Sequence, residues 1–313
     1  MSQLLNFSDI IATNSELSGG KGSSLAKMTQ FGIQVPQGFV ITTEVFNEFI
    51  IANNLDEVIR QKLFNLNIEN SVELETVSTE IQILIKNAKL NQKLEVEIIN
   101  YYNNLGSKFV AVRSSASSED GVDSSFAGQL ESFLNTDEES LIQNIIACFA
   151  SLFSPRCLYY QKEKGFDISK NKVAVVIQAM IQSEVSGITF TAHPVTNDRD
   201  QIYIEAGFGL GESIVGGYIT PDGYLVNKTN FELLEINQEI QQKGLFKNSS
   251  NQNQWLEIEP KLQSLQKLTS LQIQELAKIC LNIENYYDFP CDIEWCFYQN
   301  NFYIVQSRPI TTL

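Results

Sequence analysis

The chain has 313 residues, of which 43% are hydrophobic and 10% aromatic, enough for one large domain or two ordinary ones with real cores. Its formal net charge of −15 argues against nonspecific binding to nucleic acid or to an anionic membrane. No apolar run approaches the roughly 20 residues that cross a bilayer, and no signal peptide opens the chain. These features predict a cytoplasmic protein without a membrane partner.

The first third of the sequence predicts one glycine turn, one short strand and several helices. Residues 18–36 combine glycines with helical spacing of apolar residues, and Gly32 and Pro36 end the predicted helix. The letters FVIT indicate a short strand. Apolar residues at three- and four-residue steps across 44–105 then predict a helical subdomain.

The remainder predicts strands that do not alternate regularly with helices. Residues 137–164 and 268–287 have helical patterns, whereas 173–181, 188–194 and 202–209 read as strands. A glycine-rich loop at 207–223 and a polar region at 240–263 interrupt them. This order favours an α+β fold over a doubly wound parallel sheet.

The tail, residues 291–308, predicts a β-hairpin because polar and apolar residues alternate on both sides of a turn at 299–301. A three-residue loop would pair Tyr298 with Phe302. That register gathers the apolar side chains on one face, whereas a two-residue loop would split them. The predicted apolar set is Ile293, Trp295, Phe297, Tyr303 and Val305.

In the same register the other face of the hairpin carries four polar groups. Asp292 lies opposite Arg308, and Glu294 lies opposite Gln306. Carboxylate and amide oxygens are ligands that suit Mg²⁺, and a nearby guanidinium can grip a phosphate. The alternative is a solvated face with a surface salt bridge.

Two cations stand at the predicted strand and helix ends. Lys21 lies among glycines at a helix start, where free N–H groups favour a phosphate, although the Walker A spacing is missing. Arg113 stands where the FVAV strand meets a loop rich in serine and glycine. The alternatives are an exposed lysine beside a glycine-capped turn and an arginine paired with a nearby acidic side chain, which would be Glu119, Asp120 or Asp123.

Six blocks in order resemble the ATP-binding domain of the pyruvate phosphate dikinase, phosphoenolpyruvate synthase and rifampin phosphotransferase family. The blocks are GGKGSSLAKM, VPQGFVITT, VRSSASSEDGVDSSFAGQLESFLN, GITFTAHP, GLGESIVGGYITPDGYLV and DIEWCFYQNNFYIVQSRP. The resemblance covers nearly the whole chain. It implies an ATP-grasp-like fold with nucleotide between two lobes, 1–195 with the helical subdomain and 196–313 with the metal-binding hairpin.

The resemblance also implies which residues contact the triphosphate. Lys21 and Arg113 match the family's phosphate-binding lysine and arginine, and Arg308 matches its clamp on the terminal phosphate. These three are the expected catalytic residues. Gly128 and Ser132 match the glycine and the small hydroxyl residue that approach the phosphates.

The remaining matches concern the base and the metal. Gln178 falls on the strand that meets the adenine. Glu294 and Gln306 match the Mg²⁺ ligands, and Asp292 matches an acidic neighbour of that metal. The implied cofactors are therefore ATP and Mg²⁺.

The implied reaction cleaves ATP to AMP and phosphate and carries the β-phosphoryl group on a histidine. This sequence has no phosphohistidine motif, and its single histidine, His193, is expected to be a loop residue. The chain is therefore expected to be an excised domain or a natural subunit, with the histidine on a partner. Its intact ends favour the subunit.

Two other functions stay open from the sequence. One is a self-contained ATP-grasp kinase or ligase that acts on a small molecule. The other is a nucleotide-binding module without turnover, which the complete set of phosphate and metal residues disfavours.

Overall fold

The computed structural model describes residues 3–117, 120–121, 124–125, 130–165, 171–248 and 252–311. The chain divides into two compact units, the first made of Met1–Lys27 and Gln37–Met180, the second of Met28–Pro36 and Ile181–Leu313. The strand at Val185–Phe190 already belongs to the second unit's sheet. The predicted division into domains at residue 195 stays a prediction.

The first unit contains a five-stranded antiparallel sheet and a group of helices. Its strands lie in the order β1-β2-β7-β3-β6, so the chain leaves the sheet after β2 and returns at β3. The excursion contains the four helices α2–α5, which confirms the helical pattern predicted for 44–105, whereas their forming a separate subdomain stays a prediction. The elements are β1 Leu4–Asn6, α1 Ser15–Gln30, β2 Gly38–Ile41, α2 Thr43–Ala52, α3 Asp56–Phe64, α4 Ser71–Lys86, α5 Gln92–Asn104, β3 Val110–Ala116, β4 Asp120–Gly121, β5 Ser124–Ser125, β6 Ser132–Thr136, α6 Glu138–Ser151, α7 Pro155–Glu163 and β7 Val173–Ala179.

The two faces of this sheet differ because successive side chains on a strand point to opposite sides. On β3, Val110 and Val112 enter the main core with the helices, and on β7 Val173, Val175 and Ile177 do the same. The alternate positions face the other side, where α1 lies. That side carries the polar residues described below.

The segment Glu138–Glu163 is long and apolar enough by composition to cross a membrane. In the structure it is two helices rather than one, since Ser154 caps α7 and Pro155 occupies its first turn. More than half of its apolar window is buried inside the protein, and α6 contributes to the main core of the first unit. These features are those of a core segment.

The second unit is built on a six-stranded sheet in the order β11-β10-β9-β8-β14-β15, and all its pairings are antiparallel. The predicted polar region at 240–263 contains a small hairpin and a short helix. Antiparallel sheets accompanied by segregated helices confirm the α+β class. The elements are β8 Val185–Phe190, β9 Gln201–Phe208, α8 Glu212–Val215, β10 Asp222–Asn227, β11 Leu233–Asn237, β12 Lys243–Lys247, β13 Asn253–Glu257, α9 Pro260–Gln263, α10 Ser270–Tyr287, β14 Cys291–Tyr298 and β15 Asn301–Pro309.

A buried ion pair joins the sheet to the chain that flanks the polar region 240–263. The side chains of Lys267 and Asp222 are both 0% exposed, with Nζ 2.8 Å from Oδ1. Asp222 also accepts hydrogen bonds from the backbone N–H groups of Glu239 and Lys267 and from the Tyr224 hydroxyl. Burial is the largest cause of the raised pKa of Tyr224, so its hydroxyl stays a donor. Each oxygen of the Asp222 carboxylate therefore accepts two hydrogen bonds.

Asp222→Ala should lower the free energy of unfolding by about 3–5 kcal/mol, because it leaves the Lys267 ammonium buried without its counter-charge. Chemical denaturation measures the loss. The control is Glu259→Ala, which removes an exposed ion pair with Lys261 and should cost less than about 1 kcal/mol. Equal losses in the two variants would contradict the importance given to the buried pair.

Candidate functional site

In the first unit, Ser115 ties the glycine turn to strand β3. Its hydroxyl donates to the Ser18 carbonyl at 3.0 Å and accepts from the Gly22 amide at 3.2 Å. Gly19 has φ 67°, which interrupts the helical backbone, so the helical run that carries Lys21 begins after this turn. The predicted glycine turn and helix start are therefore both present, and Lys21 stands in the first turn, partly exposed.

Arg113 lies two residues before Ser115 on β3, so both side chains point to the same face of the sheet. Arg113 is only 9% exposed, and its Nη1 donates to Gln178 Oε1 at 3.4 Å. Ser132 on β6 is the residue directly opposite Arg113, and it is exposed. The fold thus brings polar side chains from three strands, β3, β6 and β7, together on one face of the sheet.

Several positions that the sequence singled out cannot be placed. Gly128 lies outside the described residues, as do Glu119 and Asp123, two of the alternative partners of Arg113. The same holds for the side chain of Asp120, whose backbone forms part of β4.

In the second unit, the terminal hairpin turns over two residues, and the predicted three-residue loop is wrong. Tyr298 pairs with Asn301, and Gln299 and Asn300 have φ values of 48° and 60°. Positive φ at both central positions is typical of the tight turn that matches strand twist. Near the turn, the buried residues of β15 are therefore Phe302 and Ile304, whereas the predicted Tyr303 and Val305 are partly exposed.

A β-bulge restores the predicted register farther along the hairpin. Trp295 pairs with Ile304, but the next residue, Glu294, pairs with Gln306, so Val305 is the extra residue. Without the bulge, Glu294 would lie opposite Val305 and the polar groups would be split between faces. The pairing of Glu294 with Gln306 is confirmed, as is that of Asp292 with Arg308.

The Asp292–Arg308 pair is a close, half-buried ion pair. Oδ2 of Asp292 accepts from Nε of Arg308 at 2.8 Å and from Nη2 at 2.6 Å. Burial nevertheless raises the pKa of Asp292 above its ordinary value, Arg308 lowers it in part, and the charge of Glu294 raises it again. The carboxylates of Asp292 and Glu294 therefore interact electrostatically on one sheet face.

The structure adds Glu205, which the sequence reading missed. Glu205 on β9 is opposite Ile188, and Ile188 is opposite Glu294, so Glu205, Glu294 and Gln306 form one row across the sheet. Burial raises the pKa of Glu205, and the charge of Asp292 adds to that shift. Because Ile202 and Ile204 alternate with polar residues along β9, the sequence could have indicated that Glu205 lies on the face opposite these isoleucines. The order of the strands could not be read from the sequence.

This face of the sheet offers few protein oxygens that could bind a metal ion. Among the described residues, no group of three or more His, Cys, Asp or Glu side chains could hold a metal ion. Glu294 has a carboxylate and Gln306, directly opposite, has an amide oxygen, beside the Asp292–Arg308 ion pair. Mg²⁺ is usually bound in this way, through one or two protein oxygens, water and the phosphates of a substrate.

His193 belongs to a loop, as predicted. Its Nδ1 accepts hydrogen bonds from the backbone N–H groups of Val195 and Thr196, each at 3.2 Å. Nδ1 therefore serves as a hydrogen-bond acceptor within the loop. The imidazole closes the turn between β8 and β9.

The sequence matches the family model of the pyruvate phosphate dikinase AMP/ATP-binding domain over residues 15–313. The chain therefore belongs to this family, which confirms the resemblance read from the six blocks.

Curated relatives include phosphoenolpyruvate synthases and rifampicin phosphotransferases. The chain is 37% identical to the probable phosphoenolpyruvate synthase of Methanocaldococcus jannaschii over 305 residues, which is 95% of the chain and 26% of the relative. It is 38% identical to the rifampicin phosphotransferase of Bacillus cereus over 313 residues, 99% of the chain and 36% of the relative. It is 34% identical to the phosphoenolpyruvate synthase of Pyrococcus furiosus over 354 residues, 98% of the chain and 43% of the relative. The chain thus spans less than half the length of these relatives.

Gly19→Ala should destabilise the first unit more than Gly106→Ala. Both glycines have positive φ, which costs an alanine about 1–2 kcal/mol in the left-handed helical region. Gly19, at φ 67° and ψ 176°, lies in a region that is essentially restricted to glycine. A Cβ at Gly19 would also lie 2.2 Å from the Ser115 carbonyl oxygen, whereas a Cβ at Gly106 meets nothing within 4 Å. We expect an additional loss of roughly 1–3 kcal/mol at Gly19, measured by chemical denaturation. Similar losses at the two positions would mean that the turn is not held tightly against β3.

Proposed function

We propose that this chain binds Mg²⁺·ATP and cleaves it to AMP and phosphate, with the β-phosphoryl group transferred to a histidine on a separate domain or subunit and the γ-phosphoryl group transferred to water. The observation that carries the proposal is the polar face of the terminal hairpin. There a bulge keeps Glu294 beside Gln306 and Asp292 beside Arg308, in a chain that belongs to an AMP/ATP-binding family. In this proposal the chain is a cytoplasmic phosphotransferase subunit or domain.

The first unit would hold phosphate oxygens. Lys21 follows a glycine turn, and Arg113 emerges from the adjoining strand with Ser132 opposite, so two cations and a hydroxyl would serve one anion. Gly128 would approach the same phosphates. The nucleotide would lie in a cleft with the second unit, as in an ATP-grasp fold.

The second unit would hold the metal and the terminal phosphate. Glu294 and Gln306 would bind Mg²⁺, with Asp292 as the acidic neighbour, and Arg308 would contact phosphate while Asp292 fixes its guanidinium plane. The metal, when bound, neutralises charge on the triphosphate. The residues of the chain would act mainly by positioning and by electrostatic stabilisation, as in other phosphoryl transfers.

The acceptor histidine would come from elsewhere. The only histidine in the sequence is His193, whose Nδ1 already accepts two backbone hydrogen bonds within its own loop. A partner domain that presents a free imidazole fits this requirement.

The deciding experiment is analysis of nucleotide products with ATP labelled at the β-phosphate. Purified chain, Mg²⁺ and ATP are incubated with and without purified proteins that carry a phosphohistidine motif and are encoded by neighbouring genes. We expect AMP, phosphate and a labelled partner only when the right partner is present. ADP formed from a small-molecule acceptor without partner would instead favour a self-contained kinase or ligase. Tight ATP binding without any product would favour a non-catalytic module.

Glu294→Ala and Arg308→Ala should each reduce partner-dependent AMP formation by at least about 100-fold, because each removes a group that faces developing charge. Their circular dichroism spectra should match the wild type. Glu275→Ala, at an exposed position on α10, is the control and should keep full turnover. Unchanged turnover in either site variant would remove the assignment of the hairpin face.

A further inference from the structure

One end of the Gln178 side chain has a partner and the other has none. Gln178 lies on β7 and is 3% exposed. Its Oε1 accepts from Arg113 Nη1 at 3.4 Å, whereas its Nε2 is buried without a hydrogen-bond partner among the described residues. A buried amide with half of its hydrogen bonds missing is an exception in folded proteins.

The orientation of this amide follows from the chemistry of its neighbour. A guanidinium has five donors and no acceptor, so the amide atom that faces Arg113 must be the oxygen. Turning the amide by 180° would set its N–H groups against those of Arg113. The nitrogen is therefore fixed in the unpaired position, and it has two hydrogens to donate.

A second unpaired polar atom lies on the same side of the sheet, farther along β3. The Ser18 hydroxyl is fully buried without a partner among the described residues, although the Ser18 carbonyl accepts from Ser115. Ser115 and Gln178 lie on either side of Arg113 along the sheet, because Ala111 pairs with Gln178. Both unpaired groups can donate, which is what an oxygen-rich anion requires.

We infer that Gln178 contacts the phosphates of the nucleotide instead of the adenine. Its Oε1 accepts a hydrogen bond from Arg113, and its Nε2 donates to a phosphate oxygen. This inference rests on the proposed function and assigns a different role to a residue that the family resemblance places near the base. The amide is unsatisfied without ligand and satisfied when the triphosphate is bound. Its desolvation cost is then recovered on binding.

The test uses Gln178→Met, which keeps the volume and removes both ends of the amide, and Gln178→Glu, which keeps the acceptor for Arg113 and removes the donor. Calorimetric titration of the full chain measures binding of the Mg²⁺ complexes of a nonhydrolysable ATP analogue and of inorganic tripolyphosphate. Differential scanning calorimetry measures Tm without ligand. Tripolyphosphate has no base, so it separates contact with phosphate from contact with adenine.

We expect Gln178→Met to weaken both ligands by the same factor, roughly 10- to 100-fold, which is the loss of one hydrogen bond to a charged group. Without ligand its Tm should fall less than that of the control variant described below, because the removal of an unpaired buried donor offsets part of the loss of the Arg113 contact. Gln178→Glu should bind both ligands no better than Gln178→Met, since a carboxylate repels phosphate.

The control is Gln161→Met in the same unit. Gln161 is also fully buried, but both ends of its amide are paired: Nε2 donates to the Leu152 carbonyl at 3.0 Å, and Oε1 accepts from Asn171 at 2.6 Å. This variant should lower Tm and leave both dissociation constants unchanged. The same substitution should therefore weaken ligand binding at Gln178, whereas at Gln161 it should lower only Tm.

Three outcomes would overturn the inference. Weaker binding of the nucleotide analogue alone would return Gln178 to the adenine. Unchanged affinities with a lower Tm in Gln178→Met would make its role structural. Wild-type affinity in Gln178→Glu would mean that it acts only through Arg113. If the wild type bound neither ligand, the proposed function itself would fail, and this inference with it, which is distinct from any difference between variants.

Discussion

The burial of one face of each sheet is the constraint on which the site depends. Side chains on a strand alternate between faces, so apolar residues at every second position leave the intervening positions for polar groups. In the first unit, Val110 and Val112 are in the main core, and Arg113 therefore points to the opposite side. In the second, Ile293 and Trp295 are buried while Glu294 is partly exposed between them.

The bulge at Val305 shows how strongly this constraint acts. The tight turn at Gln299 and Asn300 sets a register that would bring Glu294 opposite a valine. One extra residue in β15 lets Phe302 and Ile304 pack with the core and still returns Gln306 to the polar face. Both requirements are met by bending one strand, at the cost of a locally disrupted ladder.

Close backbone contacts and unpaired polar atoms occur on the same side of the first sheet. The turn at Gly19 leaves no room for a Cβ beside Ser115, and the amide of Gln178 and the hydroxyl of Ser18 lack partners among the described residues. Sites that bind charged ligands commonly give up stability in the free protein in this way. The buried pair of Lys267 and Asp222, in contrast, has all its hydrogen bonds, which suits a structural role.

The sequence by itself determined the α+β class, the helices of 44–105, the family and the hairpin pairs Asp292–Arg308 and Glu294–Gln306. Alternation and turn residues are local signals, and six ordered motifs are specific. Only the tertiary structure decided that the hairpin turns over two residues, that Glu205 joins the row of Glu294, and that Gln178 faces Arg113. These features depend on which strands become neighbours, and that order is set by long-range packing which no local pattern records.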